Sequence, residues 1–115
     1  MINFQYCRLE AIKHAAELVN KWHDINRLID NAYRFCIILD EDFDNFQELR
    51  EQRNNDECLQ DVMHVANIYC GANNLLSALY YINGNEIQSD IWYARYIHSV
   101  NRAFHQKDEL NDMDD

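Results

Sequence analysis

Apolar residues recur at steps of three and four from Leu9 to Leu39, with mostly polar residues between them. This spacing is typical of an amphipathic α-helix whose apolar stripe faces a core. Because no glycine or proline interrupts it, the pattern predicts one continuous helix of about 45 Å; the alternative is a break within residues 20–24. The stripe consists of Leu9, Ile12, Ala15, Ala16, Val19, Trp22, Ile25, Leu28, Ile29, Ala32, Phe35, Cys36 and Leu39.

A short second helix is predicted over residues 42–53. Carboxylates are favoured at the positive end of a helix dipole, so the acidic run Asp40-Glu41-Asp42 is interpreted as the end of the first helix and the start of the next. One face of this short helix carries Phe43, Phe46 and Leu49.

Two further helices follow, and each has capping signals. Asn54 with Glu57 has the spacing of a capping box and predicts a third helix to about Ile82. Asn83-Gly84 supplies a left-handed C-cap, and Asn85 with Gln88 predicts the start of a last helix. The apolar stripe of that last helix is predicted to be Ile87, Ile91, Ala94, Ile97, Val100 and Phe104.

Together these elements predict an all-α fold, a small antiparallel helical bundle of four to five helices. The 115 residues fit one domain over residues 1–107, followed by a disordered acidic C-terminal tail at residues 108–115. The chain has two glycines and no proline, which disfavours a turn-rich sheet fold. The longest apolar run, residues 35–39, is far shorter than the roughly 20 residues of a membrane span. Without a signal-peptide pattern at the N-terminus, we expect a cytoplasmic protein.

The net charge of −10 is concentrated in two stretches. Residues 40–61 hold nine acidic and two basic side chains, and residues 108–115 hold five acidic and no basic ones. Phosphate contacts need clustered Lys and Arg, so direct nucleic-acid binding is not expected, and a basic protein target is favoured. The alternative is a solvated surface that maintains solubility. The acidic residues predicted to bind a partner are Asp40, Glu41, Asp42, Asp44, Glu48, Glu51, Asp56 and Glu57.

Three aromatic residues of the last helix are predicted to lie off its core stripe. Trp92, Tyr93 and Tyr96 cannot all point inward together with Ile91 and Ile97. Exposed Trp and Tyr side chains are typical anchors of protein interfaces, so we predict that these three bind a partner. The alternative is that they cover the edge of the core.

No arrangement in the chain indicates a metal, a cofactor or a catalytic centre. Di-metal helical bundles use Glu-x-x-His pairs. The nearest pairs here are Glu10 with His14, which has the wrong spacing, and Asp61 with His64, which has the wrong acid. The four cysteines form no Cys-x-x-Cys pair, and we expect reduced thiols, without a disulfide or a zinc site.

Two short motifs resemble enzyme families of helical fold. His23-Asp24, with His14 upstream, resembles the centre of the HD phosphohydrolases and implies a metal-dependent phosphohydrolase. Arg8 to His14 resembles the Arg-x(4–6)-His motif of HEPN ribonucleases. In that family a polar residue follows the arginine and the motif lies on a later helix, whereas here Leu9 follows and the motif opens the chain.

Size, acidity and helicity together favour a binding protein over an enzyme. This profile is similar to that of phage-encoded inhibitors of host defence, including anti-CRISPR proteins and DNA mimics, and to that of immunity proteins that cap toxic nucleases. Acidic residues on successive helical turns can stand in for the phosphates of a DNA strand. The alternatives are the helical enzymes above and a self-associating structural protein, since the apolar surface of residues 9–39 could pair with its copy in a homodimer.

Overall fold

The computed structural model describes residues 2–53 and 56–105, and the side chains of residues 2–45 and 64–103. Within these residues the chain forms four α-helices, and a π-helical segment at Asn101–His105 extends the last of them. The helices are α1 (Phe4–Trp22), α2 (Ile25–Arg53), α3 (Asp56–Ile82) and α4 (Glu86–Val100). The predicted all-α antiparallel bundle is confirmed. The predicted tail at residues 108–115 lies outside the described residues.

The prediction of a continuous first helix is wrong, because the chain breaks at His23 and Asp24. His23 has left-handed backbone angles (φ 59°, ψ 19°), and its N–H donates to the carbonyl of Val19 at 2.8 Å. Histidine is among the non-glycine residues that adopt this conformation more often than most. The side chain of Asp24 then accepts from the N–H of Arg27 at 3.2 Å, as an N-cap does. A cap therefore ends α1 without the glycine or proline that was expected at a break.

The prediction of a second break at residues 40–42 is also wrong, because α2 continues through them to Arg53. Cys36, Leu39 and Phe43 continue the buried stripe of α2 at steps of three and four, and Phe43 is fully buried. The acidic residues between Leu39 and Phe43 are exposed and need no helix end. There is consequently no separate helix at residues 42–53. The predicted capping residue Asn54 lies outside the described residues.

The sequence signals around the last turn are confirmed. Gly84 has the left-handed φ of 79° that follows the end of α3. The side chain of Asn85 accepts from the N–H of Gln88 at 3.2 Å and caps α4. These contacts are local, and for this reason the spacing alone could indicate them.

Helix α3 is the centre of the bundle and packs against each of the other three helices, whereas α1 and α2 have few contacts with each other. At one end of α3, Ala78 and Leu79 pack against Ala11 and Ala15 of α1. Towards its other end, Ala66 and Cys70 pack against Phe43 of α2 and against α4. The molecule is elongated, with extents of 46 × 27 × 20 Å.

The buried face of α4 differs from the predicted stripe. The buried residues of α4 are Ser89, Trp92, Tyr96, Ser99 and Val100. Val100 is the member of the predicted stripe among them. Two other predicted members, Ile87 and Ile91, are exposed, and Ile87 has 75% of its surface accessible.

Two fully buried serines explain this choice of face. The hydroxyl of Ser77 donates to the carbonyl of Ser89 at 2.6 Å, and the hydroxyl of Ser89 donates to the carbonyl of Ser77 at 2.8 Å. Each buried hydroxyl therefore has a partner, and the contact turns the face of α4 that carries Ser89, Trp92 and Tyr96 towards the core.

None of the helices, within the part of the chain that the structure describes, has the length and apolar character needed to cross a membrane.

Candidate functional site

The acid-rich residues 40–61 form one end of the bundle, which we call the acidic end. Phe4, the first residue of α1, packs against the core cluster that contains Phe43 and Cys70, and its ring meets that of Tyr96 at 5.8 Å. Helix α2 therefore continues beyond the start of α1, from Phe43 to Arg53. The first turns of α3, which begins at Asp56, also lie beyond the start of α1. The described backbone of this acid-rich stretch, residues 40–53 and 56–61, thus lies where two helices continue past a third.

Two of the acidic residues predicted to bind a partner make contacts within the bundle. Asp40 accepts a hydrogen bond of 2.6 Å from the hydroxyl of Tyr69. Asp44 forms an ion pair with Arg102, whose guanidinium lies 4.9 Å from the ring centroid of Phe43. These two carboxylates hold α2 against α3 and the π-helical segment, and are less available to a partner than the sequence suggested.

Glu41 and Asp42 project from the exposed side of α2. They follow Ile38 by one turn, and Ile38 is 57% exposed. An apolar side chain beside carboxylates suits a protein surface that combines apolar contacts with lysine or arginine. The remaining four acidic residues predicted to bind, Glu48, Glu51, Asp56 and Glu57, have side chains outside the described residues.

Burial in the core changes the acidity of three groups of α2 and α3. Burial raises the pKa of Tyr69 well above its usual 10.0, and the hydrogen bond to Asp40 raises it further. Burial likewise raises the pKa of Cys36 to about 12, and it raises the pKa of Cys70 above the usual 9.0. All three groups are therefore held in their neutral forms.

We expect this to make the fold sensitive to alkali. The unfolded chain loses these protons above its ordinary pKa values of 9.0 for cysteine and 10.0 for tyrosine, whereas the folded chain retains them. The stability contributed by the neutral groups is therefore complete below these values and is lost as the pH rises above them. The melting temperature, followed by circular dichroism, should be constant near neutral pH and fall above pH 9.0. Tyr69→Phe should make this fall shallower. A melting temperature that rises or stays level through this range would contradict the assignment.

The aromatic residues of α4 are not placed as predicted. Trp92 is 4% exposed and Tyr96 is 6% exposed, so both are core residues, and the prediction that they lie off the core face is wrong. Tyr93 is half-buried beneath Arg8, whose guanidinium lies 4.3 Å from the ring centroid. Trp92 and Tyr96 therefore offer no exposed ring to a partner, and Tyr93 offers only part of one.

A largely apolar groove, which sequence reasoning missed, follows one side of α1. We call it the α1 groove, and its volume is about 660 Å³. Its floor belongs to α3 and includes Gly71, Asn74 and Leu75. No signal in the sequence indicated it, because α1 and α3 are distant in the chain. The residues of α1 that line it are Tyr6, Cys7, Glu10, Ala11, His14, Glu17, Leu18 and Lys21, and Tyr96 contributes from α4.

Two features of the groove floor are unusual. Gly71 is in the interior of α3, where glycine costs about 1 kcal/mol relative to alanine, and a Cβ there would meet no atom within 4 Å. Asn74 is 8% exposed, and its amide nitrogen donates to the carbonyl of Cys7 at 3.0 Å. The side-chain oxygen of Asn74 has no hydrogen-bond partner among the described residues.

The residues that resemble enzyme motifs make contacts with neighbouring residues of the bundle. Arg8 donates to Asp90 at 3.1 Å and to Ser89 at 3.3 Å, whereas the imidazole of His14 faces Glu17, with 3.8 Å between Nδ1 and the carboxylate. Arg8 and His14, the two residues of the HEPN-like motif, therefore contact different neighbours. His23 and Asp24 form the connection between α1 and α2. Over the described residues, no three His, Cys, Asp or Glu side chains are grouped as a metal site would need.

No protein-family model, no curated protein and no solved structure matches this chain significantly.

Proposed function

We propose that this chain is a small acidic binding protein that associates with a basic protein target through its acidic end and thereby blocks the target's surface. A phage-encoded anti-defence protein, a DNA mimic or an immunity protein would act in this way. The observation that supports the proposal most is the concentration of charge, with nine acidic and two basic side chains in residues 40–61. Phe4 of α1 packs against the cluster that contains Phe43, so α2 continues past the start of α1 at one end of an elongated bundle.

Electrostatics give this arrangement a defined role. Like charges gathered at one end attract an oppositely charged protein from a distance and orient it before contact. Glu41 and Asp42, next to the exposed Ile38, are the described carboxylates best suited to direct contact with the target. Asp40 and Asp44, which bind Tyr69 and Arg102, support the helix that carries them.

The proposal predicts that affinity for the target depends on where the carboxylates lie and not on the net charge alone. The double variant Glu41→Gln/Asp42→Asn should bind the target roughly threefold to thirtyfold more weakly, since each exposed charge pair contributes a few tenths to about 1 kcal/mol. The control Asp30→Asn/Glu86→Gln removes the same charge away from the acidic end and should bind as the unaltered chain does.

The measurement has two steps. Proteins retained by the tagged chain from an extract of its native host are eluted by increasing salt and identified by mass spectrometry. The purified target is then titrated against the chain and both double variants by calorimetry. Equal affinities for the two variants, or a retained target with an acidic binding surface, would contradict the proposal.

A further inference from the structure

We propose that the α1 groove is a self-association surface, filled by the exposed α2 ridge of a second copy in a twofold dimer whose long axes are antiparallel. The α2 ridge consists of Phe35 and Ile38, which are 48% and 57% exposed. The contacts and charges of the described residues lead to this arrangement in four steps.

First, the α2 ridge lies beside the groove. Tyr33 and Asp44 mark the side of α2 that faces α4 and its π-helical extension, through contacts with Trp92 and Arg102. Phe35 is two residues from Tyr33, about 200° around the helix, and so lies on the opposite flank. Leu28, two turns earlier on that flank, packs in the cluster that contains Ala11 and Ala15 of α1. The flank that carries Phe35 therefore faces the side of the bundle on which α1 lies.

Second, the groove floor is shaped to accept a side chain or a helix at close range. A Cβ on Gly71 would meet no atom within 4 Å, so the backbone of α3 is open from this side. Glycine is the residue that permits close approach to a backbone. The packing within one copy gives no reason for a glycine in mid-helix, whereas close approach by a second copy does. Ile68, one turn earlier on α3, is 38% exposed and adds apolar surface.

Third, the charges on the two sides are complementary. Glu10 and Glu17 line the groove together with Lys21, so the groove has an excess of one carboxylate. Arg34 is next to Phe35 on the exposed side of α2, and Arg27 is two turns before it. Arg34 pairs with Asp30 of its own helix at 3.3 Å, so the excess positive charge on this side is that of Arg27, which can face a carboxylate of the other copy.

Fourth, the strongly charged acidic end fixes the direction of pairing. A parallel dimer would set two acidic ends side by side, with strong repulsion. An antiparallel dimer puts them at opposite ends of a molecule 46 Å long. The screening length is about 10 Å at 0.1 M salt, so repulsion across that distance is negligible.

A second copy is the favoured occupant because one face of this chain carries both halves of the contact. A twofold axis brings the ridge of each copy to the groove of the other and closes the assembly. The acidic ends stay outside the contact, so the dimer does not depend on the proposed function. It would present two acidic ends to basic targets.

The test is the mass of the purified chain in solution, measured by light scattering and sedimentation over a wide concentration range. The monomer mass is 13.8 kDa, and we expect a reversible dimer of twice that mass. Gly71→Leu and Ile38→Glu should each weaken the dimer at least about tenfold. Ile87→Glu, a matched change of an exposed isoleucine outside this face, should leave the dimer unchanged.

Circular dichroism of each variant checks the fold, and Gly71→Leu should retain or increase the melting temperature because it replaces a helical glycine in open space. A chain that stays monomeric at every concentration would overturn the proposal. Dimers of Gly71→Leu and Ile38→Glu as stable as the original would overturn it equally. Because the mass is measured without a target, either result would leave the proposed function standing.

Discussion

Replacing Glu41 by proline is expected to lower the free energy of unfolding by about 3 kcal/mol or more. Glu41 is in the interior of α2, which runs from Ile25 to Arg53. A proline there removes the hydrogen bond to the carbonyl of Ile37 and pushes its ring against that carbonyl. The kink would also displace Phe43, which is fully buried two residues later. Urea denaturation followed by circular dichroism measures the loss.

Glu41→Ala is the matched control, because it removes the same side chain and keeps the helix. It should change the free energy of unfolding by less than about 0.5 kcal/mol, as most exposed substitutions do. If Glu41→Pro were as stable as Glu41→Ala, residues 40–42 would be a connection between two helices, as the sequence first suggested.

Trp92→Ala is expected to cost about 3–5 kcal/mol, the usual range for a large aromatic removed from a core. Trp92 packs with Cys36, Leu39 and Leu76, and its ring meets that of Tyr33 edge to face at 5.8 Å. Alanine would leave a cavity where α2, α3 and α4 meet. The same denaturation measurement applies.

The neighbouring Ile91→Ala is the control for the face of α4. Ile91 is 43% exposed, so its truncation should cost less than about 1 kcal/mol. If the stripe predicted from the sequence were correct, Ile91→Ala would lower the free energy of unfolding more than Trp92→Ala does. A large loss for Ile91→Ala with a small one for Trp92→Ala would show that α4 is rotated relative to this structure.

Local signals in the sequence predicted those parts of the fold that depend on neighbouring residues. The cap of Asn85 on Gln88 and the left-handed Gly84 need only a few adjacent positions. The end of α3 at Ile82 was also predicted, from the turn residues that follow it. The break at His23 was harder, since a histidine took the backbone conformation that usually calls for glycine.

The predictions that were wrong concern features that depend on tertiary packing. The acidic residues 40–42 have the chemistry of a helix start, but burial of Phe43 in phase with Leu39 carries α2 through them. In α4, two sets of residues have helical spacing, and periodicity cannot choose between them. The contact of Ser77 with Ser89, twelve residues apart, makes that choice.

The sequence predicted the negative charge of the candidate site but not the contacts that its side chains make. The density of carboxylates in residues 40–61 is visible in composition. The bonds of Asp40 to Tyr69 and of Asp44 to Arg102 join residues 29 and 58 positions apart and could not be foreseen. The α1 groove likewise arises where Cys7 meets Asn74, 67 positions away.

The salt dependence of target binding tests the central claim most directly. If carboxylates of the acidic end bind a basic target, affinity measured by calorimetry should fall steadily as sodium chloride is raised, and it should fall less steeply for Glu41→Gln/Asp42→Asn. An affinity that stays constant as salt is raised, with the same value for the double variant, would contradict the account.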